Sequence, residues 1–494
     1  MSLVKTFPLS LLTFSELWSL VPMLILLGTA VGCMLAAAFA RKGAYLVSQV
    51  LFVGGLLTAL VFLFVGPLDQ NVTLLNGVFI SDHMSRFFAV LILLGTLGAG
   101  LMNIGYGEKH HILPEFYSLM TLSAMGGILL VSTTELVAAF IAIELLSLGT
   151  YVLIGLRRHN ASSSEASLKY FIMGGIASAV FLYGVSLLYG ATGSLSTSAM
   201  KSALELSWVT GLPLMSKVGM AMLGAGLLFK LGAVPFQVWV PDVYGGASSP
   251  VTGYMITAVK VAAFGLFLRV ASDLFQVPSL MSEGSIFYKF LWVVAALSMV
   301  LGSLVGLMQT ELKRLFAYST IAHTGYILMT FVVFGASKSQ AVFGSMTTYL
   351  VYYLIANLGI FASLTLLSRG DGEAIRLSDL SGLHTRKPWI AFAVSVFLLS
   401  LAGIPLTAGF IGKFQLFMGV AKAGGGSLVA VAVMSSMVSL YYYLRPMVYM
   451  YMKEDSGVDL NDQNPYLGAF LVLILALVFT LYFGVQPSSF RGPF

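Results

Sequence analysis

Charge is what this sequence is shortest of. Only 9% of its 494 residues are Asp, Glu, Lys or Arg and 58% are hydrophobic, whereas an ordinary soluble domain is about 25% charged. So little charge excludes a water-soluble surface, and the net charge of +6 gives no ground for nucleic-acid binding. Cysteine is nearly missing too: Cys33 is alone, which rules out within the chain an iron–sulfur cluster held by four thiolates, and a disulfide. Histidine is scarce. Of six, His83, His110, His111, His159 and His384 fall in loops or at span ends and His323 alone lies mid-span, so a haem between two intramembrane histidines is excluded. No Gly-rich phosphate loop follows a strand. The 51 glycines read instead as small residues that let helices approach closely.

What is present is apolar sequence in lengths that cross a bilayer. Mean hydropathy is +0.93, and runs of about 20 residues, the length a helix needs to span hydrocarbon, fill almost the whole chain. Fourteen are expected, near residues 17–38, 44–66, 84–105, 114–132, 135–156, 164–190, 214–241, 250–271, 287–309, 312–335, 340–368, 387–421, 427–450 and 465–485. Connections are short except around 191–213, 272–286 and 369–387, which leaves no room for a soluble domain. The expected fold is therefore an all-α polytopic membrane protein, a single membrane domain over 1–494. Ala38-Phe39-Ala40 resembles a signal-peptidase site, but the apolar run is too long and Arg41 and Lys42 follow it instead of preceding it. An uncleaved first helix with its N-terminus outside is expected. Alternate loops then place thirteen basic residues inside (Arg41, Lys42, Lys109, Arg157, Arg158, Lys313, Arg314, Arg369, Arg376, Arg386, Lys387, Arg445, Lys453) and nine outside (Lys5, Arg86, Lys201, Lys217, Arg269, Lys289, Lys338, Lys422, Arg491). That modest bias has the positive-inside sense, and fourteen spans put the C-terminus outside as well.

Two spans are interrupted. Pro235 sits in Leu231-Gly232-Ala233-Val234-Pro235-Phe236 and Pro405 in Leu401-Ala402-Gly403-Ile404-Pro405-Leu406. Both read leucine, two small residues, a β-branched residue, proline and a large apolar residue, 170 residues apart. Phe267-Leu268-Arg269 and Tyr443-Leu444-Arg445 repeat at an offset of 176. Spans 4–8 (within 114–271) thus correspond to spans 9–13 (within 287–450), with three helices before them (17–105) and one after (465–485). Five helices are an odd number, so the copies are inverted in the membrane, the arrangement of transporters with broken helices. Proline frees a carbonyl and removes a donor, and those groups need protein or water partners in hydrocarbon; water beside each break is the simplest supply.

Against this apolar background Glu144, Lys169, Lys230, Lys260, His323 and Lys413 are conspicuous. A charge at mid-membrane costs roughly 2.5–3.5 kcal/mol on insertion scales and marks an ion or proton pathway. Lys230 precedes Pro235 and Lys413 follows Pro405, each one or two turns from a break where it can exchange protons with water; a packing kink with a snorkelling lysine is the plainer alternative. Glu144 lies near the middle of span 5, and Lys169, at the start of span 6, is its expected partner. Burial and pairing act oppositely on the proton affinities of such a pair, so a change in separation is a switch; a static ion pair is the alternative. Glu135 and Arg157, at the ends of span 5, are expected to be structural. For His323 a packing role and a functional one are equally open, and its neighbours Tyr318, Ser319 and Thr320 favour a hydrated path.

The stretches SEASLKYF from Ser164, PFQVWVPDVYGGASSPVT from Pro235, KRLFAYSTIAHTGY from Lys313 and LAGIPLTAGFIGKF from Leu401 together resemble the antiporter-like membrane subunits of respiratory complex I, over nearly the whole chain. The resemblance is strongest to the subunit N type: span 12 carries Lys413 where the M type has glutamate, and the chain stops at Phe494 without the lateral helix of the L type. What the resemblance implies is a proton-translocating subunit of NADH:quinone oxidoreductase with no cofactor of its own. NADH, FMN, iron–sulfur clusters and quinone would belong to partner subunits, and neighbouring membrane subunits would flank it in a bacterial cytoplasmic (inner) membrane. It also implies roles: Glu144 and Lys169 as a regulating pair, Lys230 as the central lysine, Lys260 and His323 as the bridge, Lys413 as the terminal donor or acceptor. Two departures stand out: Gln237 where relatives carry histidine after Pro-Phe, and Gly245, Ser248 and Ser249 in the following turn. The alternatives are a subunit of a multisubunit Na⁺/H⁺ antiporter, told apart by Na⁺ dependence without quinone-linked drive, and a scaffold that does not pump.

Overall fold

The computed structural model describes residues 13–40, 43–66, 71–158, 160–206, 213–282, 284–337, 339, 341–368, 376–455 and 466–487. Lys5, Arg41, Lys42, His159, Lys338, Arg369 and Arg491 lie outside them. The fourteen expected spans are all present as helices. Spans 1 to 6 are Phe14–Phe39, Ala44–Val65, His83–Met102, Phe116–Ser132, Leu136–Gly155 and Ala161–Thr192. Span 7 is split into Leu214–Leu231 and Trp239–Gly246, and span 8 runs Ser249–Leu274. Spans 9 to 11 are Ile286–Leu307, Leu312–Ser337 and Ala341–Leu366, span 12 is split into Pro388–Ala402 and Ala408–Lys422, and spans 13 and 14 are Gly426–Met452 and Leu467–Val485. Besides short single-turn helices in the connections, two features were not expected. The connection after span 2 forms a hairpin of Val72–Leu74 and Phe79–Ser81, and the 191–213 connection holds the helix Thr197–Leu206.

Ends of helices form where the sequence supplies caps. Asp82 accepts from the Ser85 amide at the start of span 3 and Asn160 from the Ser163 amide at the start of span 6, each satisfying a donor the first turn leaves open. Across the bundle, enclosure differs sharply. The most apolar windows of spans 8, 10 and 11 are 100%, 94% and 94% buried by other helices, against 28% for spans 1 and 6. Spans 8 and 10 carry Lys260 and His323, so those groups sit at the centre. Within span 8 the α-helix gives way to a π-helical turn over Met255–Val259, immediately before Lys260; such turns are rare and concentrate at functional sites.

The internal repeat is visible in contacts as well as in sequence. Arg269, at the end of span 8, donates from Nη2 to the Val131 carbonyl (3.0 Å) at the end of span 4. Its counterpart Arg445 in span 13 donates from Nη1 to the Leu307 carbonyl (2.6 Å) at the end of span 9. In both copies a guanidinium satisfies open carbonyls at a helix C-terminus, where the helix dipole also favours a cation. Close crossings repeat at the same offset. A Cβ on Gly126 would stand 2.5 Å from the Leu146 nitrogen, and one on Gly302 2.5 Å from the Ala322 nitrogen. Only glycine permits spans 4 and 5, and spans 9 and 10, to cross this closely.

Arg269 also forms a two-pronged ion pair with Asp82, Nη1 to Oδ2 at 2.6 Å and Nη2 to Oδ1 at 2.9 Å. Burial pushes the Asp82 carboxyl up, but the Arg269 guanidinium and the Ser85 amide outweigh it and hold the group below the usual aspartate value. A depressed carboxyl contributes stability that is full above its unfolded value and is lost as pH falls through the folded one, so acidification into the aspartate range should lower the thermal midpoint of the purified protein. Arg269→Met strands the carboxylate and should abolish that acid dependence, at a stability cost of about 3–5 kcal/mol; a wild-type midpoint would show that the pair is not needed.

Candidate functional site

The site begins at the two breaks. The Gly232 amide returns to the carbonyls of Leu228 and Phe229 and the Ala233 amide to Leu228; at the second break Gly403 returns to Leu399 and Ser400, and Ile404 to Leu399. Both helices thus close on a left-handed glycine, with φ of +66° at Gly232 and +85° at Gly403. The breaks are one residue out of step with the proline alignment, since the glycines are 171 residues apart and the prolines 170. The reason is that the left-handed turn follows glycine, which adopts it without a steric penalty, and the small pair is Gly-Ala in one copy and Ala-Gly in the other.

Protein groups supply partners that the sequence reading assigned to water. At the first break, Trp239 Nε1 donates to the Phe229 carbonyl (3.1 Å), Thr324 Oγ1 to Leu231 (3.3 Å), and the Val234 amide to Ser298 Oγ (3.0 Å). At the second, the Gly409 amide donates to Ser400 Oγ (3.0 Å) and Lys413 Nζ to the Ala402 carbonyl (3.0 Å). Of these partners, Lys413 is one of the titratable candidates, and Thr324 also holds another, Lys260. Gln237, inside the first break, keeps a buried Oε1 without a protein partner.

Four of the six titratable groups lie in one file through the interior. Lys230, Lys260, His323 and Lys413 are only 9%, 5%, 3% and 5% exposed. Lys230 Nζ donates to Ser147 Oγ (2.6 Å), lies 3.4 Å from the Tyr170 hydroxyl, and adjoins a small cavity lined also by Tyr151, Ser178 and Phe181. Lys260 Nζ donates to Thr324 Oγ1 (2.8 Å) and the Thr320 carbonyl (3.2 Å). Thr324 thereby ties Lys260 to the open carbonyl of Leu231, the residue after Lys230. Thr320 Oγ1 is 3.0 Å from the Tyr353 hydroxyl, whose ring lies 5.2 Å from that of His323.

His323 is held at both ring nitrogens, Nδ1 by the Tyr349 hydroxyl and Nε2 by that of Tyr443 at 3.0 Å, and Tyr443 in turn meets Ser319 Oγ. Tyrosine hydroxyls donate and accept, so either imidazole tautomer is satisfied and a proton can enter at one nitrogen and leave from the other. Lys413 shares a small cavity with His323, Tyr349 and Tyr353 and also donates to Ser436 Oγ (3.1 Å). Its ammonium stands 5.4 Å from the centre of the Tyr326 ring, a cation–π distance. The sequence reading missed Ser147, Thr324, Tyr349, Tyr443 and Ser436; hydroxyl groups scattered over apolar helices carry no periodic signal.

Glu144 and Lys169 are not brought together. Lys169 is an exposed residue whose ammonium pairs with Glu165 (2.7 Å) and Asp242 (2.8 Å), while Glu144 keeps a buried Oε1 with no partner. Lys230 lies on the same side as Glu144: it bonds Ser147, one turn along span 5 from Glu144, and is within electrostatic range of it. Helix geometry explains the failed pairing. Side chains tilt toward their helix N-terminus, which sends Lys169 back toward Glu165. Ser167 Oγ bonds the Tyr151 carbonyl and sets the antiparallel register of spans 5 and 6; by that register Glu144 lies about five residues deeper than Lys169, roughly 7 Å along the axis. Asp242 was visible in the motif that carried the resemblance, but nothing in its spacing announced Lys169 as its partner.

The same architecture occurs in proteins of known composition. The profile described as "NADH:quinone oxidoreductase/Mrp antiporter, TM" matches residues 133–439. NADH-quinone oxidoreductase subunit N 1 of Sorangium cellulosum is 38% identical over 436 residues, covering 87% of this chain and 85% of that one. Subunit N of Brevibacillus brevis is 35% identical over 487 residues, covering 96% and 94%. Among solved structures, a chain of respiratory complex I from Thermus thermophilus superposes with a TM-score of 0.78 at 32% identity, over 95% of this chain and 98% of that one. A chain of the Mrp complex from Dietzia superposes as well, at 0.79 over 96% and 95%, but at 21% identity it shows the shared fold alone. With its split seventh and twelfth spans and its relatives along almost the full length, the chain belongs to the NADH:quinone oxidoreductase/Mrp antiporter family of transmembrane subunits, as a subunit N of NADH-quinone oxidoreductase.

Proposed function

We propose that this subunit carries protons across a bacterial cytoplasmic membrane, driven by redox chemistry in the other subunits of its NADH-quinone oxidoreductase. The observation that carries the reading is the file of four buried basic groups, each hydrogen-bonded to hydroxyls or open carbonyls and none facing lipid. NADH, FMN, iron–sulfur clusters and quinone are assigned to partner subunits, and electrons do not enter this chain. Neighbouring membrane subunits flank it in the bilayer, with both termini on the outer face.

Lys230 is the entry lysine and holds its proton beside Ser147 and Tyr170. A change transmitted from partner subunits alters how strongly the Glu144 carboxylate acts on Lys230, with Lys169 as the competing cation; this is the switch. When Lys230 releases its proton, water carries it across the first break to Lys260, which Thr324 positions, and water beside the hydroxyls of Thr320 and Tyr353 leads on to His323. The imidazole passes it to Lys413 through their shared cavity, and from there it leaves outward. In each step a protonated group gives one proton to a neutral neighbour, so the chain returns to its starting charge once Lys230 is refilled from inside.

Two measurements bear on this. In the intact enzyme reconstituted into vesicles, Lys230→Met should lower proton translocation about a hundredfold, the lower end of what a positioned acid–base group contributes; full stoichiometry in that variant refutes the assignment. Purified in mild detergent, the chain should bring with it a peripheral arm containing flavin and iron–sulfur subunits. Recovery with antiporter subunits alone, and Na⁺-dependent transport without a quinone-linked drive, would favour the Mrp type of assembly instead.

A further inference from the structure

We propose that Asp242 is a positioning residue of the pump: it holds the Lys169 ammonium at the inner end of span 6 and off Glu144, leaving the Glu144 carboxylate to act on Lys230. The proposal rests on the proton-transport reading above and adds to it a residue that sets the resting position of the switch.

Asp242 lies in the second half of span 7, across the break from Lys230. Its Oδ2 is 2.8 Å from Lys169 Nζ, and its Oδ1 is 3.4 Å from Arg314 Nη2. One turn earlier in the same half-helix, Trp239 stacks on Tyr170 with ring centres 4.5 Å apart and planes at 22°. Consecutive residues of span 6 are thus gripped by two residues of the half-helix. Tyr170 reaches Lys230 and Lys169 carries the charge, so a shift of the half-helix acts on both together. Trp239 also donates to the Phe229 carbonyl, which fixes the half-helix to the helix that bears Lys230.

On the other side stands Glu144, with a buried carboxylate oxygen lacking a donor. An unsatisfied buried acceptor is costly, by about 1–3 kcal/mol and more if charged, so the group will take whichever cation is free to approach. Lys230 is within electrostatic range, and its partner Ser147 lies one turn along the helix from Glu144. Lys169 is the competitor, and the groups facing it are Glu165 on its own helix and Asp242 on the half-helix. Asp242 itself faces Lys169, Arg314 and, at longer range, Tyr318, with Glu311 behind Arg314 at 3.4 Å. Lys169 and Asp242 are 44% and 37% exposed, and pairs that wet contribute about 1 kcal/mol or less. A weak contact suits a latch, because a ligand or partner can move a two-state equilibrium only when the states are close in free energy.

The test uses the intact enzyme in vesicles. Asp242→Asn should lower protons translocated per electron about two- to fivefold, the range a solvated ion pair supplies, and displace the pH profile of translocation, with the KM for quinone unchanged. In a Lys169→Gln background the same substitution should have no effect, because the competing cation is gone. Asp242→Glu should restore the wild-type profile, and Arg314→Gln should leave it in place. A wild-type profile for Asp242→Asn, an effect that persists without Lys169, the same defect from Arg314→Gln, or failure of the Asn variant to assemble would each make Asp242 a mere staple between helices and overturn the proposal. Retained pumping in Lys230→Met sinks the transport reading itself; a silent Asp242→Asn beside an inactive Lys230→Met sinks the latch alone.

Discussion

Hydrocarbon offers no water to a backbone group that a broken helix leaves open, and the structure turns on how that demand is met. Two spans are interrupted, and the partners of their exposed groups are polar side chains: Trp239, Thr324 and Lys413 donate to the carbonyls, and Ser298 and Ser400 accept from the amides. Lys413 is the clearest case, since the bond that satisfies the Ala402 carbonyl also fixes the ammonium beside His323. Fold and site are therefore made by the same contacts. Closing the second break would take away one of the two hydrogen bonds that hold the Lys413 ammonium inside the bundle.

The internal repeat supplies the frame twice and equips it differently. At the offset of 176, Arg269 and Arg445 cap equivalent helix ends and the glycine crossings superimpose. The polar positions do not match. Ser147, which receives Lys230, corresponds to His323; Lys260 corresponds to Ser436, which receives Lys413; Glu144 corresponds to Thr320, whose carbonyl receives Lys260. Of the buried file and the carboxylate beside it, one copy supplies Glu144, Lys230 and Lys260, the other His323 and Lys413.

Much of this was readable from residues alone because membrane burial is unforgiving. An apolar run of about 20 residues has few fates other than a spanning helix, so the spans, the breaks near Pro235 and Pro405 and the four basic groups of the central file were all legible. What stayed hidden depends on distance along the chain or on direction in space. The Lys169–Asp242 pair joins residues 73 positions apart, and the tilt of Lys169 toward its helix N-terminus defeats the nearer guess of Glu144. Tyr349 and Tyr443 look like any other aromatic on an apolar helix until both close on His323.

By itself the sequence determined the class, the number of spans, the duplicated plan and four of the titratable groups that lie inside, since each follows from the cost of placing polar atoms in hydrocarbon; it also put Lys169 inside, which is exposed, and left Lys313, which is buried, in a loop. Tertiary structure alone decided which of those groups touch, which side chains meet the open backbone at each break, and which carboxylate Lys169 meets. Those outcomes depend on helix register and side-chain direction over a few ångströms, and a linear pattern of hydrophobicity carries no measure of either.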